Sequence, residues 1–276
     1  RQFLTVAFLD VGQGDAIFIE APNGNQILID AGQTSAVVRQ LAKIIPFHDR
    51  RIDAIIATHH DSDHTGGFPE IFKRYKIEKY ISGSSRIGDS LFHEIERLID
   101  LEKSDSFLLS AGDRIILDSF ANIYLNVLWP PPDETFSDTN EASVIVELVY
   151  DNVSFILTGD ASKKAEEKII SAIFTEKNST ETSRKILFSS TPSSSTSSPI
   201  IILKAGHHGS KTSTSEFFVR EIAPQFAIIS AGKDNKFGHP HPEVVAVLDR
   251  YNAEILETAK MGTIIFKSDG QNVWLK

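Results

Sequence analysis

His59-His60-Asp61-Ser62-Asp63-His64-Thr65-Gly66-Gly67 follows, after Thr58 alone, on the largely apolar run Ile52-Asp53-Ala54-Ile55-Ile56-Ala57. A short apolar run bounded by polar residues reads as a buried strand. A strand that ends in alternating His and Asp presents several nitrogen and oxygen donors from one tight loop, which is how a protein holds one or two divalent cations. The alternative is a solvated loop that merely happens to carry three histidines. The rest of the chain argues against it: of nine histidines, seven fall in three clusters, namely this loop, His207-His208 and His239/His241. His48 and His93 stand apart and read as surface residues.

Written as His59-x-Asp61-x-Asp63-His64, the loop resembles the His-x-His-x-Asp-His signature of the metallo-β-lactamase fold, with aspartate at the second histidine. Further landmarks follow in the order that family requires: Phe8-Leu9-Asp10-Val11-Gly12-Gln13-Gly14-Asp15-Ala16, Leu28-Ile29-Asp30-Ala31-Gly32, Leu157-Thr158-Gly159-Asp160, Lys204-Ala205-Gly206-His207-His208-Gly209-Ser210 and Gly238-His239-Pro240-His241-Pro242. Together they are most similar to the metallo-β-lactamase domain at the end of ComEC-type competence proteins and to its free-standing relatives. The resemblance implies an α/β fold, a four-layer αββα sandwich with an internal duplication, formed as a single domain over residues 1–276.

Composition sets bounds on this reading. A chain of 276 residues with 41% hydrophobic content can bury a substantial core. No apolar run approaches the ~20 residues that cross a bilayer, and no signal-peptide pattern opens the chain, so the expectation is a soluble chain without a membrane segment. It opens on Arg1 rather than methionine, and the expectation is that a preceding segment has been trimmed, from a parent that could be membrane-bound. Location is then cytoplasmic for a free-standing protein, or the extracytoplasmic side of the membrane for a piece of a competence-type protein. The absence of cysteine excludes disulfides and thiolate ligands. A net charge of −9 with no dense basic patch counts against a strong duplex binder.

Periodicity predicts strands at 3–9, 16–21 and 26–30, with Pro22-Asn23-Gly24-Asn25 as a turn, then a helix over 37–45, the strand before the metal loop, and helices over 68–75 and 91–101. The 68–75 helix would aim its positive end back at the loop. Strands follow at 115–117, 123–128, 143–149 and 154–158, then a helix from 161 to about 174. Residues 175–199, centred on Ser193-Ser194-Ser195-Thr196-Ser197-Ser198, read as a flexible insertion. Beyond it come strands at 200–204, 226–230, 254–257, 262–266 and 273–275, with helices over 215–222 and 242–251.

By the resemblance, His59 and Asp61 would ligate a first metal, Asp63 and His64 a second, and Asp160 would bridge them; Asp160 could instead cap the helix after it. A carboxylate at position 61 hardens the site and shifts preference from zinc toward manganese, with magnesium also open. The family usually supplies another histidine before Asp160, whereas here the segment is Asp138-Thr139-Asn140-Glu141-Ala142-Ser143, where Asn140 would substitute weakly. One or two divalent ions are therefore expected. His207 or His208 would complete the second metal site or give a proton to the leaving group. Lys204, Lys211, Ser210 and His239 would contact a phosphate, although Ser210, Thr212 and Ser213 could equally cap the next helix. His241, set by two prolines, would act as ligand or general acid, unless the segment is a plain surface turn. Asp30, and with it Asp10 and Asp15, would organise the loop by hydrogen bonds without touching metal.

These expectations define a metal-dependent hydrolase using a metal-bound hydroxide, with Asp63, His208 and His241 in catalytic roles. The substrate would be a phosphodiester, single-stranded DNA foremost. A nucleotide or phospholipid head-group phosphodiesterase is the alternative among enzymes, and a binding or regulatory module that keeps the fold without turnover is the alternative outside them. No partner protein is indicated.

Overall fold

Alternation of apolar residues with Thr, Glu and Gln over the opening residues makes β1 (Leu4–Phe8), β2 (Ile17–Glu20) and β3 (Gln26–Ile29) a run of antiparallel neighbours. The computed structural model describes residues 2–83, 89–177 and 198–276. After β3 the chain changes habit. Helix α1 (Ala36–Leu41) leads to β4 (Arg51–Ala57), which pairs parallel to β3. The short α2 (Ser62–Thr65) and α3 (Phe68–Arg74) lead to β5 (Lys76–Ser82), and α4 (Ser90–Glu102) leads to β6 (Asp105–Leu108), both strands adding in parallel.

The second half repeats this plan. Strands β7 (Arg114–Asp118), β8 (Ile123–Trp129), β9 (Ile145–Tyr150) and β10 (Val153–Leu157) are antiparallel. Helix α5 (Lys163–Lys177) precedes β11 (Ile200–Lys204), α6 (Glu216–Ile222) precedes β12 (Phe226–Ile229), and α7 (Pro242–Arg250) precedes β13 (Glu254–Glu257), three strands in parallel. After α8 (Thr258–Met261), strands β14 (Ile264–Ser268) and β15 (Val273–Leu275) return to the first sheet, where β14 lies antiparallel to β1. The sheets run β15-β14-β1-β2-β3-β4-β5-β6 and β13-β12-β11-β10-β9-β8-β7.

Side chains from the two inner faces, among them Phe8, Ile56, Leu125, Leu148, Phe155 and Phe266, form one buried layer. Val37, Leu41, Phe68, Ile71 and Ile95 bury helices α1, α3 and α4 against the first sheet, and Ile169, Phe218, Val219, Val244 and Leu248 bury α5, α6 and α7 against the second. The result is the four-layer αββα sandwich expected from the sequence.

Several elements differ from expectation. The 37–45 helix ends at Leu41 and continues as turns to Ile45. The last long strand runs over 264–268 because residues 258–261 form a helical turn first. Strands β5 and β6 were not predicted. Most of the serine-rich stretch, residues 178–197, lies outside the described residues.

Candidate metal centre

The loops that leave the carboxyl ends of β3, β4, β10 and β11 converge on one rim of the sandwich, where α/β sheets commonly hold ligands. Asp15, His64, Asp160 and His208 each bring a donor atom there, all within 4.8 Å of one another and all buried. His64 Nε2 lies 3.1 Å from Asp160 Oδ1, and His208 Nε2 lies 3.4 Å from both Asp63 Oδ2 and Asp160 Oδ2. His207 Nε2 is 3.6 Å from Asp160 Oδ2. His59 stacks its ring 4.1 Å from that of His64 and holds Nε2 3.8 Å from Asp61 Oδ2.

Each of these imidazoles is fixed by its other nitrogen. His64 Nδ1 donates to Asp30 Oδ2 (2.7 Å), and His208 Nδ1 donates to the Ser230 carbonyl (3.0 Å). Thr58 Oγ1 gives its proton to Asp30 Oδ2 and therefore accepts from His59 Nδ1 at 3.0 Å. Thr212 Oγ1 gives its proton to Ser210 and accepts from His207 Nδ1 at 3.0 Å. All four rings thus turn an Nε2 lone pair inward, the orientation a ligating histidine needs. Among the described residues, His59 Nε2, His64 Nε2, His208 Nε2 and Asp160 Oδ1 are buried with no hydrogen-bond partner. Groups of this kind are costly to bury unless something is bound between them. Nitrogen and carboxylate donors of this mixture suit a divalent cation such as manganese or zinc.

The charges agree. Burial alone would raise the Asp160 carboxyl, but the His208 and His64 imidazoles hold it well below the usual carboxylate range. Burial would likewise raise Asp63, yet the adjacent His208 and His64 imidazoles bring it down to about 2. His64 and His208 are held well above the usual imidazole range: against burial, Asp160 and Asp30 act on the first, Asp160 and Asp15 on the second.

Backbone geometry serves the same end. His207 and His208 both adopt positive φ (47° and 58°), which aims two adjacent imidazoles at one centre. The loop carrying them is tied down by the buried Glu166 carboxylate, which accepts from Thr214 N (2.6 Å) and Ser215 N (2.8 Å), and by Ser213 Oγ donating to the Ala161 carbonyl. Gly14 allows its loop to touch the metal loop, because a Cβ there would come 1.9 Å from the Asp63 carbonyl oxygen.

Of the residues singled out in the sequence, Asp63, His64, Asp160 and His208 meet directly, with His59, Asp61 and His207 beside them. Asp160 is not a helix cap, since the first turn of α5 bonds back to Ser162. Asp30 is completely buried beneath His64, as expected of a supporting residue. The 138–143 segment, where no histidine is available, still reaches the site: Thr139 Oγ1 donates to Asp61 Oδ1 (2.8 Å), and Ser143 Oγ accepts from Asp160 N (3.0 Å) and lies 3.4 Å from His59 Nδ1. Asn140 Oδ1 is buried without a partner among the described residues.

Others of the singled-out residues stand elsewhere, some of them against expectation. Lys204, expected beside a phosphate, is 0% exposed; its ammonium pairs with Asp15 and donates to the Gly159 carbonyl at 3.0 Å. Asp15, expected to be a supporting residue only, belongs to the cluster itself. Ser210 turns inward to accept from Thr212 rather than outward to an anion, and the cap of α6 is Ser215. Lys211 is exposed. His241 precedes α7, its backbone N bonded to the Gly209 carbonyl and its ring 5.3 Å from His239, outside the cluster. His239 packs 5.8 Å from His207, with burial and the neighbouring histidines lowering it to about 4. His60 turns away to meet Phe92. Asp15 and Lys204 were both singled out in the sequence, but their pairing with each other was not foreseen.

Residues 9–233 match the metallo-beta-lactamase superfamily. The chain belongs to that superfamily, whose fold is generally hydrolytic. It is similar to ComE operon protein 3 of Bacillus subtilis (28% identical over 95% of this chain and 33% of that protein). Recombination protein 2 of Haemophilus influenzae is 31% identical over 93% of this chain and 28% of that protein, and competence protein ComA of Neisseria gonorrhoeae is 25% identical over 95% and 32%. The chain spans about a third of the length of these relatives. Among solved structures, the metallo-beta-lactamase fold protein YhfI from Bacillus subtilis superposes with a TM-score of 0.59 at 10% identity, covering 96% of this chain and 100% of that one. No helix among the described residues is long and apolar enough to cross a membrane.

Proposed function

We propose that this chain is a metal-dependent phosphodiesterase acting on nucleic acid, single-stranded DNA foremost, and that residues 1–276 form one domain carrying a serine-rich insertion. The observation that carries the proposal is the ring of anchored imidazoles with unpartnered Nε2 atoms around Asp63 and Asp160. Asp63, His64 and His208 would hold one cation, His59 and Asp61 a second, with Asp160 between them. The carboxylate content favours manganese over zinc, with magnesium open. A divalent cation there brings the pKa of a bound water toward neutrality and offsets charge on a phosphodiester.

His208 suits the ligand role because it is buried and faces both carboxylates. His207, 27% exposed at the rim and lowered by burial, suits proton donation to the leaving oxygen. Asp30 and Thr58 keep His64 and His59 in the ligating tautomer. Relatives named as competence and recombination proteins support a DNA substrate, and by the same comparison an extracytoplasmic setting if the chain is part of a longer protein.

Hydrolysis of bis-p-nitrophenyl phosphate and of single-stranded DNA, with manganese, magnesium or zinc and an EDTA control, tests the reading. Cleavage of both with manganese is expected. Cleavage of the small ester alone would move the assignment to a nucleotide or lipid phosphodiesterase, and silence on both would end it. His64→Ala and Asp160→Ala should each lower turnover at least 100-fold without loss of the circular-dichroism spectrum.

A further inference from the structure

Beside Asp63 lies a cavity of about 380 Å³ that the chemistry above does not use. Gln13 and Gln33 come to it from the first half of the chain, and Asn235, Lys236 and Phe237 from the loop after β12. Phe237 is 52% exposed and lines the cavity with its ring. It is held there by construction. Asn235 Nδ2 donates to the carbonyls of Gly232 (2.8 Å) and His239 (2.7 Å), and its Oδ1 accepts from His239 N (2.9 Å), so the loop is closed on itself. Gly238, at φ +71°, makes the turn behind the ring.

One face of Phe237 stacks on His239 at 5.7 Å and 22°, and His239 in turn abuts His207. Lys236 Nζ lies 5.3 Å from the Phe237 ring. Gln13 also lines the cavity, and its Oε1 is buried with no hydrogen-bond partner among the described residues.

A flat ring, amide groups and a cation, sharing Asp63 with the metal centre, match a nucleobase and its phosphate. An acyl chain would find too many amides here, and a duplex would keep its bases stacked away from the ring. We propose that this cavity is a base-stacking subsite for the nucleotide next to the scissile phosphate of a single strand, with Phe237 as platform and Lys236 on the backbone. This deepens the phosphodiesterase reading and rests on it. Stacking of this kind tolerates any sequence, because every base has a π face.

The test is fluorescence anisotropy with a 12-nucleotide thymidylate strand and an abasic strand of equal length, with calcium as the added cation. Wild type should bind the base-bearing strand about tenfold more tightly. Phe237→Ala should erase that preference and Phe237→Trp should keep it. Lys236→Ala should weaken both strands alike. Equal binding of the two strands by wild type would overturn the proposal, as would a Phe237→Ala loss of equal size on both. Hydrolysis of bis-p-nitrophenyl phosphate by wild type judges the parent reading independently: if it fails while base-dependent binding persists, the subsite stands and the reaction does not.

Discussion

Asp30 shows how much one side chain carries at this site. Its oxygens accept from Thr58 N, Thr58 Oγ1 and His64 Nδ1, and through these contacts set the tautomers of two histidines. Asp30→Asn keeps the size but presents an amide donor where an acceptor is needed. Manganese affinity by titration calorimetry should fall about 10- to 100-fold with the fold retained, and unchanged affinity would remove Asp30 from the site. The histidine loops were legible in the sequence because His and Asp rarely cluster after an apolar strand without a metal to hold. Asp15 and Lys204 were not. Their pairing joins residues far apart in sequence, and a lysine is ordinarily solvated, so nothing local marks Lys204 as buried.

At the scale of elements, what periodicity could read was read. The inner strands and amphipathic helices stand out because one face is apolar. Strand β6 did not, because all four of its residues are exposed on a sheet edge, and β5 did not, because Lys76, Glu78 and Lys79 break its apolar pattern. The Gly14 turn gives a sharp test of loop packing. Gly14→Ala adds a Cβ into the Asp63 carbonyl at a φ of +108° and should lower the melting temperature by several degrees, together with metal affinity. A neutral outcome would show that the two loops do not need their close approach.

Strand β9 carries a second test in Glu147, which is buried and accepts from Ser154 Oγ (2.9 Å) and Asn126 Nδ2 (3.3 Å). Burial raises its carboxyl to about 7 despite those donors. The folded state therefore keeps a proton that the unfolded chain releases near the ordinary carboxylate value. The stabilisation is present at low pH and is lost as pH rises toward 7, at most about 3 kcal/mol. Glu147→Gln should flatten that slope, measured as urea midpoints between pH 5 and 8. An unchanged slope would mean that Glu147 is ionised throughout.

Across the whole molecule, the candidate metal centre spans the two sheets, since His59, Asp61, Asp63 and His64 hang from the first and Asp160, His207 and His208 from the second. A cation bound only by the folded form adds stability according to its concentration. Manganese at about 100 times its dissociation constant should raise the melting temperature roughly 5–10 °C over an EDTA-treated sample. No shift would show that the folded chain does not bind the ion in preference to the unfolded one. The crossing of β14 back to β1 adds a temporal constraint. On the ribosome, Leu4–Phe8 has one flank unpaired until Ile264–Ser268 has been made, and Phe266 is missing from the layer between the sheets until then. Closure of the first sheet must therefore wait until β14 has been made. Nascent chains stalled before Gly262 should remain open to protease along the opening hairpins, and those released with β14 complete should not.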